Sequence, residues 1–230
     1  MTGPQNRQGA ASPATAADLT RLTRLPERVP GERAALDALL DEVLVGTLST
    51  VVDGLPWVVP MLFARDGDQV ILHGSTGAGA LRQVAAGAQA ALCVTAVDGI
   101  VVAESTFESS MNYRSAVLRG RLTRLSGAEQ ARAIDVLSDR VLPGRTQEVR
   151  PSTRKELAAT IGVALAITDD NWILKCRDGL PGEPAEEHAA WCGVIPLAVT
   201  AGEPVAAPWA VGPVPASVQG VLHAHGRMGG

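Results

Sequence analysis

The chain has 230 residues, 46% of them hydrophobic, and a net charge of −4. This length and hydrophobic content are typical of one globular domain with a core. The charge is weakly negative and lysine and arginine form no long block, which argues against a nucleic-acid or membrane-surface partner. Three cysteines without metal-like spacing, no apolar signal core and no apolar run of membrane-spanning length predict a reduced, cytoplasmic protein.

The first regular element follows a polar leader. Residues 1–18 consist mainly of Gly, Pro, Ala, Ser, Thr and Gln, which predicts a disordered N-terminal tail. Residues 31–44 then carry apolar side chains at helical spacing and predict an amphipathic helix. Its apolar stripe consists of Leu36, Leu39, Leu40, Val43 and Leu44.

From residue 45 the apolar period changes to two, which is typical of strands. Asp-Gly pairs at 53–54, 66–67 and 98–99 predict hairpin turns and therefore antiparallel pairing. Two prolines, Pro56 and Pro60, place the second strand at an edge or at a bulge. The predicted strands are 45–52, 55–64, 70–73, 90–97, 100–105, 113–125, 161–168 and 172–176.

Few helices accompany these strands, and the predicted ones are 80–86, 127–142 and 155–160. About six short antiparallel strands with flanking helices predict a mainly β domain built as a small barrel, over residues 19–203. Residues 204–230 show no clear period and predict a loosely ordered C-terminal tail.

One polar cluster follows the third predicted strand, His73-Gly74-Ser75-Thr76. Hydroxyl groups and backbone N–H groups ahead of a helix can hold a phosphate. The alternative is that Ser75 or Thr76 only caps the helix, with the glycines forming a turn. His73 is either beside a ligand or a structural histidine bonded to backbone.

A second polar cluster, residues 110–115, begins the next long strand and reads Ser-Met-Asn-Tyr-Arg-Ser. The Arg114 guanidinium matches a phosphate or a carbonyl oxygen of a ligand, and Tyr113 offers a stacking surface. The alternative is a strand-edge salt bridge for Arg114 and a turn at Asn112.

These two clusters and their spacing resemble the pyridoxamine 5'-phosphate oxidase-like family of FMN-binding split barrels, over residues 20–205. The closest resemblance is to its nitroimidazole reductase-like branch, which carries His-Gly-Ser/Ala and Ser-Met-Asn-Tyr-Arg-Ser elements. The resemblance implies a split β-barrel, FMN as cofactor, and a homodimer with the cofactor at the interface. A third element of the family matches Lys175, Arg177 and Trp191.

The resemblance also implies roles for individual residues. His73 would be catalytic, at the reactive face of the flavin, and the phosphate would lie near Ser75, Thr76 and Arg82. Relatives often carry a basic residue where this chain has Gly79. The implied cofactor-binding residues are Val59, Pro60, Met61, His73, Gly74, Ser75, Thr76, Leu81, Arg82, Asn112, Tyr113, Arg114, Ser115, Lys175, Arg177 and Trp191.

The function that follows is an FMN-dependent oxidoreductase. It would transfer a hydride between flavin N5 and an unidentified small molecule such as a nitro-aromatic, with NAD(P)H as donor. The alternative is a carrier or sensor that binds a flavin, haem or a deazaflavin without catalysis. No metal site is predicted, because His223 and His225 have no third ligand at metal spacing.

Overall fold

The computed structural model describes residues 32–77, 81, 84, 85, 87–184 and 190–225. The N-terminal tail predicted for residues 1–18 and the cofactor contact predicted for Arg82 lie outside the described residues. The helices are α1 Arg33–Glu42, α2 Gly127–Val141, α3 Arg145–Glu148, α4 Arg154–Ala158 and α5 Ala216–His225. The strands are β1 Val45–Val52, β2 Leu55–Asp66, β3 Gln69–Ser75, β4 Gln89–Val102, β5 Ser110–Arg121, β6 Thr123–Arg124, β7 Thr160–Ala166, β8 Trp172–Arg177 and β9 Gly193–Pro196.

Antiparallel pairing joins the strands in the order β6-β7-β3-β2-β1-β4-β5-β8, with β9 on β4. Only Leu122 separates β5 from β6, so the pairing of β6 with β7 closes a ring of six strands. The ring is split along β2, which pairs with β1 through residues 55–62 and with β3 through residues 63–66. The predicted mainly β split barrel is therefore confirmed.

Two apolar clusters define the two faces of the barrel wall. The larger fills the barrel and is closed at one end by α1. The smaller lies between α2 and the outer face of β2, β3 and β7. Along β3 the side chains alternate between them, since Val70 and Leu72 belong to the interior and Ile71 to the outer cluster.

The three Asp-Gly pairs do not all form turns. Asp53 and Gly54 do, with positive φ values of 52° and 78°, and a turn follows Asp66. The turn predicted at 98–99 is wrong, because β4 runs through it and only shifts register there, as a bulge. Nonlocal contacts stabilise that bulge, since Arg114 donates hydrogen bonds to the Asp98 carboxylate.

The prolines of β2 lie on an edge, as predicted, but in no bulge. Pro56 and Pro60 pair with Val51 and Thr47 in regular register, and β3 joins β2 only from Phe63. Proline has no backbone N–H, so Pro56 and Pro60 cannot donate a hydrogen bond to β1. Along an antiparallel strand every second residue directs its N–H and C=O to the same side, so Pro56, Val58 and Pro60 all direct their backbone groups away from β1. Among the described residues, 55–62 thus pair with β1 alone and present an edge with backbone groups open to a ligand.

The segment predicted as a loosely ordered tail contains α5. The Ser217 N–H and hydroxyl donate to the Glu148 carboxylate at 2.9 and 2.6 Å, and Ser217 is buried. A residue bound this way fixes the start of a helix whose own sequence has only a weak apolar stripe. No helix among the described residues is both long and apolar enough to span a membrane.

Candidate functional site

The first predicted cluster lies on the outer face of the barrel. The alternation along β3 directs His73 and Ser75 outward, as it does Ile71. The strand partner of His73 is Gly162 of β7. A Cβ atom on Gly162 would lie 3.5 Å from the Leu125 Cβ atom, in ordinary van der Waals contact with the outer face.

The His73 imidazole is half-buried, and burial lowers its pKa below the usual 6.5. Its side chain forms no hydrogen bond or ion pair within the described part of the chain. The ring is therefore neutral at pH 7, with a nitrogen lone pair available. A neutral imidazole in this state can accept a hydrogen bond or ligate a metal.

Four of the predicted cofactor contacts belong instead to the barrel interior. Met61, Leu81 and Val59 pack in the larger cluster. A Cβ atom on Gly74 would overlap Leu81 Cδ2, so this glycine allows Leu81 to pack against β3. Because neighbours on a strand point to opposite sides, Val59 and Met61 on β2 direct their side chains away from the outer face, and Leu81 packs in the same interior cluster.

The predicted phosphate loop is tied to the protein itself. Ser75 ends β3 instead of starting a loop. The Thr76 N–H and hydroxyl both donate to the Ala159 carbonyl, at 3.0 and 3.2 Å, and the Ser75 hydroxyl oxygen accepts from the Gly77 N–H at 3.1 Å. Thr76 therefore anchors the loop to the end of α4, and its donors are already in use.

In the second cluster, Arg114 is held by two carboxylates. Its Nε and Nη2 donate to Asp98 at 3.0 and 2.6 Å, and its Nη1 and Nη2 donate to Glu42 at 2.6 and 2.8 Å. These hydrogen bonds, to Asp98 first and then to Glu42, raise the pKa of Arg114. The same contacts lower the pKa of Glu42. The structure thus gives Arg114 the salt bridge that the sequence offered as its alternative.

Asn112 is also fixed by the protein. Its side chain is buried, its Nδ2 donates to the Gly179 carbonyl at 3.0 Å, and its Oδ1 accepts from Arg177 Nη1 at 2.6 Å. It links β5 to the segment after β8. This network positions the neighbouring Tyr113 and leaves no free amide for a ligand.

Tyr113 and Ser115 lie on the outer face of β5, because Ala116 and Leu118 alternate into the interior. Lys175 of β8 pairs with Ser115, and its Nζ lies 6.0 Å from the centroid of the Tyr113 ring. Neither Lys175 nor Arg177 pairs with a carboxylate among the described residues. This face therefore offers two positive charges and an aromatic ring to an anionic ligand.

Trp191 is 65% exposed, which excludes the role of closing the barrel core. Its indole covers Gly193, where a Cβ atom would lie only 2.8 Å from Cζ2. The ring thus contacts the start of β9, while most of the residue remains exposed to a partner or a ligand.

The two clusters lie on different flanks of one barrel. Around the ring, β2, β1 and β4 separate β3 from β5 on one side, and β7 separates them on the other. His73 and Tyr113 both point outward, so within one chain they face different directions. The sequence missed Asp98 and Glu42 as partners of Arg114, because no local pattern links them to it.

Comparisons with known proteins agree with this architecture. The family model described as pyridoxamine 5'-phosphate oxidase matches residues 32–171. The structure of the FAD and haem binding protein from Mycobacterium smegmatis is 47% identical, covers 84% of this chain and 97% of its own, and superposes with a TM-score of 0.82. No curated protein matches.

Two further structures extend the comparison. The flavocytochrome Anf3 from Azotobacter vinelandii is 28% identical over 91% of this chain and 99% of its own, with a TM-score of 0.82. A protein from Bacteroides thetaiotaomicron assigned to 5-nitroimidazole antibiotic resistance is 17% identical, covers 64% of this chain and 85% of its own, and has a TM-score of 0.53. The latter supports the fold alone.

Proposed function

Because the chain belongs to the pyridoxamine 5'-phosphate oxidase family, we propose that it is a redox protein that binds a flavin and haem. The support is that a structure 47% identical to it is named as an FAD and haem binding protein, and one 28% identical as a flavocytochrome. We therefore put this function ahead of the FMN-dependent oxidoreductase, and it combines two of the ligands named in the predicted alternative, a carrier or sensor that binds a flavin, haem or a deazaflavin.

His73 is the observation that carries the haem assignment. Haem iron can be held by a neutral imidazole, and the His73 ring, which is half-buried and has no side-chain partner among the described residues, fits this requirement. By contrast, His223 Nδ1 lies 2.8 Å from the Gln219 carbonyl in α5, outside the barrel. Bound haem would supply one-electron chemistry, and the protein would supply the ligand and the half-buried surroundings of the iron.

The flavin assignment is supported by the free edge of β2 and by the β5–β8 face. The backbone groups at Val58 are open to the polar edge of an isoalloxazine ring. Lys175 and Arg177 can pair with its phosphates, and Tyr113 can stack. The sequence predicts FMN, whereas the relative at 47% identity is named for FAD, and FAD is the flavin that we propose.

The separation of the two flanks supports the proposal of a homodimer. A two-fold axis brings different surfaces of two identical chains together, so each cleft could combine the His73 flank of one chain with the Tyr113 flank of the other. The predicted homodimer with cofactor at its interface therefore stays a proposal with this geometric support.

The second candidate is the NAD(P)H-dependent flavin oxidoreductase that the sequence predicts. The open backbone edge of β2 favours it, since flavin enzymes position the ring through such groups. The lowered pKa of His73 opposes its use as an acid near pH 7, because little of the imidazole is then protonated. Water or another group would have to supply the proton.

The test is to identify what the purified protein carries. We expect denaturation to release FAD, identified by mass, and the native protein to show a haem Soret band at about one equivalent per chain. Release of FMN without haem, together with steady-state NADPH or NADH oxidation, would favour the second candidate. A colourless protein that takes up neither cofactor on reconstitution would contradict both proposals.

A further inference from the structure

A long apolar loop stands away from the domain at its C-terminal side. Residues 202–215, here called the clasp loop, contain four prolines and a single charged residue, Glu203. Val205, Trp209 and Val211 in it are 94%, 82% and 93% exposed. Soluble proteins rarely leave several neighbouring apolar side chains this open unless they bind something.

The clasp loop is held at both ends. Ahead of it, the Ala201 N–H donates to the His225 carbonyl at 2.7 Å, and after it Ser217 is bonded to Glu148. Inside it, the Ala210 N–H donates to the Ala207 carbonyl at 2.9 Å, in a turn with Pro208 and Trp209 at its corner. The loop is therefore partly ordered before it binds, which lowers the entropy that association costs.

A second apolar surface lies on the outer face of the sheet. Met111, Ile100 and Ile195 are direct neighbours across β5, β4 and β9, and they are 43%, 41% and 48% exposed. The alternation of β4 makes this an outward row, since Val101 points into the core. Trp191 lies over Gly193 on the same side of β9. We call these four side chains the apolar row.

The two surfaces match each other in chemistry. Both are uncharged but for Glu203, while the chain as a whole is acidic. The clasp loop begins a few residues after Ile195, so it lies close in sequence to the row but does not cover it. In a two-fold dimer each chain contributes one clasp loop and one apolar row. If each loop packs on the row of the other chain, both loops and both rows are buried.

We propose that the clasp loop of one chain packs on the apolar row of a second copy, and the reverse. This inference rests on the homodimer proposed above and specifies how its halves hold each other. The apolar row lies next to Tyr113, because Met111 of the row and Tyr113 are on the same face of β5, and Val97 of β4 is the strand partner of Tyr113. The clasp therefore closes over the flank that carries Tyr113 and Lys175, which places Trp209 of one chain beside the proposed flavin site of the other.

The first experiment measures dimer dissociation by sedimentation. Trp209→Ala and the double variant Ile100→Ser/Ile195→Ser should each weaken the dimer about 100-fold, as expected for a central aromatic anchor and its pocket. Val149→Ser is the matched control, because Val149 is 44% exposed but lies on neither surface, and it should leave the dimer unchanged. An unaltered dissociation constant for Trp209→Ala would overturn the proposal.

Mixing the two variants tests the reciprocal contact. The Trp209→Ala chain still has an intact apolar row, and the Ile100→Ser/Ile195→Ser chain still has an intact clasp loop. In the heterodimer the intact clasp loop can therefore pack on the intact apolar row, which keeps one of the two contacts. It should be about tenfold tighter than either variant homodimer. A heterodimer no tighter than the homodimers would mean that loop and row do not touch across the interface.

Cofactor content is measured in the same samples. A wild-type protein that dimerises as expected but carries neither flavin nor haem would contradict the proposed function and leave the clasp intact. A monomeric wild-type protein with full flavin and haem would overturn the clasp and leave the cofactor assignment standing.

Discussion

His73 and Arg114 come from the two motifs that carry the family resemblance, yet the protein treats them in opposite ways. His73 is half-buried without a partner among the described residues, and burial lowers its pKa. Arg114 has every side-chain nitrogen engaged by Asp98 or Glu42, which raises its pKa. A motif residue can bind a ligand only where the fold leaves its hydrogen-bonding capacity open. By this criterion the first is a ligand-binding candidate and the second a structural element.

The same comparison sorts the remaining site residues. Thr76 resembles Arg114, since its donors are committed to Ala159. Lys175 resembles His73, since its ammonium group contacts the Tyr113 ring and no carboxylate within the described residues. The available groups thus lie on two outward flanks, and the committed groups connect strands and helices of the barrel.

The largest effect is expected for His73→Ala. If the imidazole ligates haem, its loss should lower haem affinity by about 100-fold or more, while flavin content stays constant. The measurement is haem titration followed in the Soret band. His223→Ala is the control, because that ring bonds only within α5. Unchanged haem affinity would remove His73 from the haem site and leave it as a wall residue.

Arg114→Ala should mainly affect stability. The change leaves two carboxylates, Asp98 and Glu42, without their shared partner, and charge-assisted hydrogen bonds of this kind contribute about 2–3 kcal/mol. Urea unfolding of the cofactor-free protein measures the loss.

Arg132→Ala provides the control for Arg114→Ala. Arg132 pairs with Asp66, but its side chain is 61% exposed, so at most about 1 kcal/mol is expected. A large fall in flavin affinity for Arg114→Ala with unchanged stability would reverse the assignment and restore the cofactor contact predicted from the sequence.

The local parts of the fold could be predicted from the sequence. The strand β1, the Asp53-Gly54 turn and the first three residues of the predicted apolar stripe, Leu36, Leu39 and Leu40, are set by neighbouring residues, and the structure confirms each. Val43 and Leu44 follow the end of α1 and are not part of the helix. The region 98–99 could not be predicted in the same way. An Asp-Gly pair favours a turn locally, but the hydrogen bonds from Arg114, sixteen positions away in sequence, hold Asp98 in a bulge within a continuous strand.

The sequence predicts the candidate site as sets of neighbours in sequence, and the structure divides each set between two faces of the barrel wall. Residues 59–61 and 73–75 alternate between the interior and the outer face, so each run supplies only part of its side chains to one surface. The partners that determine which residues are available, such as Glu42 and Ala159, come from distant segments. Only the folded chain brings them together.

Gly74→Ala separates packing from ligand binding on the His73 flank. The new methyl group would overlap Leu81 in the barrel interior, and such overpacking costs about 1–2 kcal/mol of stability. Gly182→Ala is the control, since no atom lies within 4 Å of its added Cβ. Thermal unfolding of the cofactor-free proteins compares the two. A Gly74→Ala protein of normal stability that loses only its flavin would show that the glycine faces the ligand.

The smallest effect concerns the pH dependence of the Arg114 cluster. This pH dependence arises because the hydrogen bond from Arg114 lowers the pKa of Glu42 in the folded state below the ordinary 4.5. A carboxyl group whose pKa is lowered by folding stabilises the protein above its unfolded-state value, and this contribution disappears as the pH falls through the folded-state pKa. Because the Glu42 side chain is 52% exposed, solvent screening limits it to about 1 kcal/mol.

Glu42→Gln removes that titration and keeps the size of the side chain. The variant should be less stable than the wild type by about 1 kcal/mol near pH 7, and the difference should vanish as the pH falls through the lowered folded-state pKa of Glu42. Urea unfolding at a series of pH values measures it. If the difference persists at the acidic end, the loss comes from packing of the amide and not from charge. If there is no difference at any pH, Asp98 alone holds Arg114, and α1 is joined to the β4 bulge by apolar contacts only.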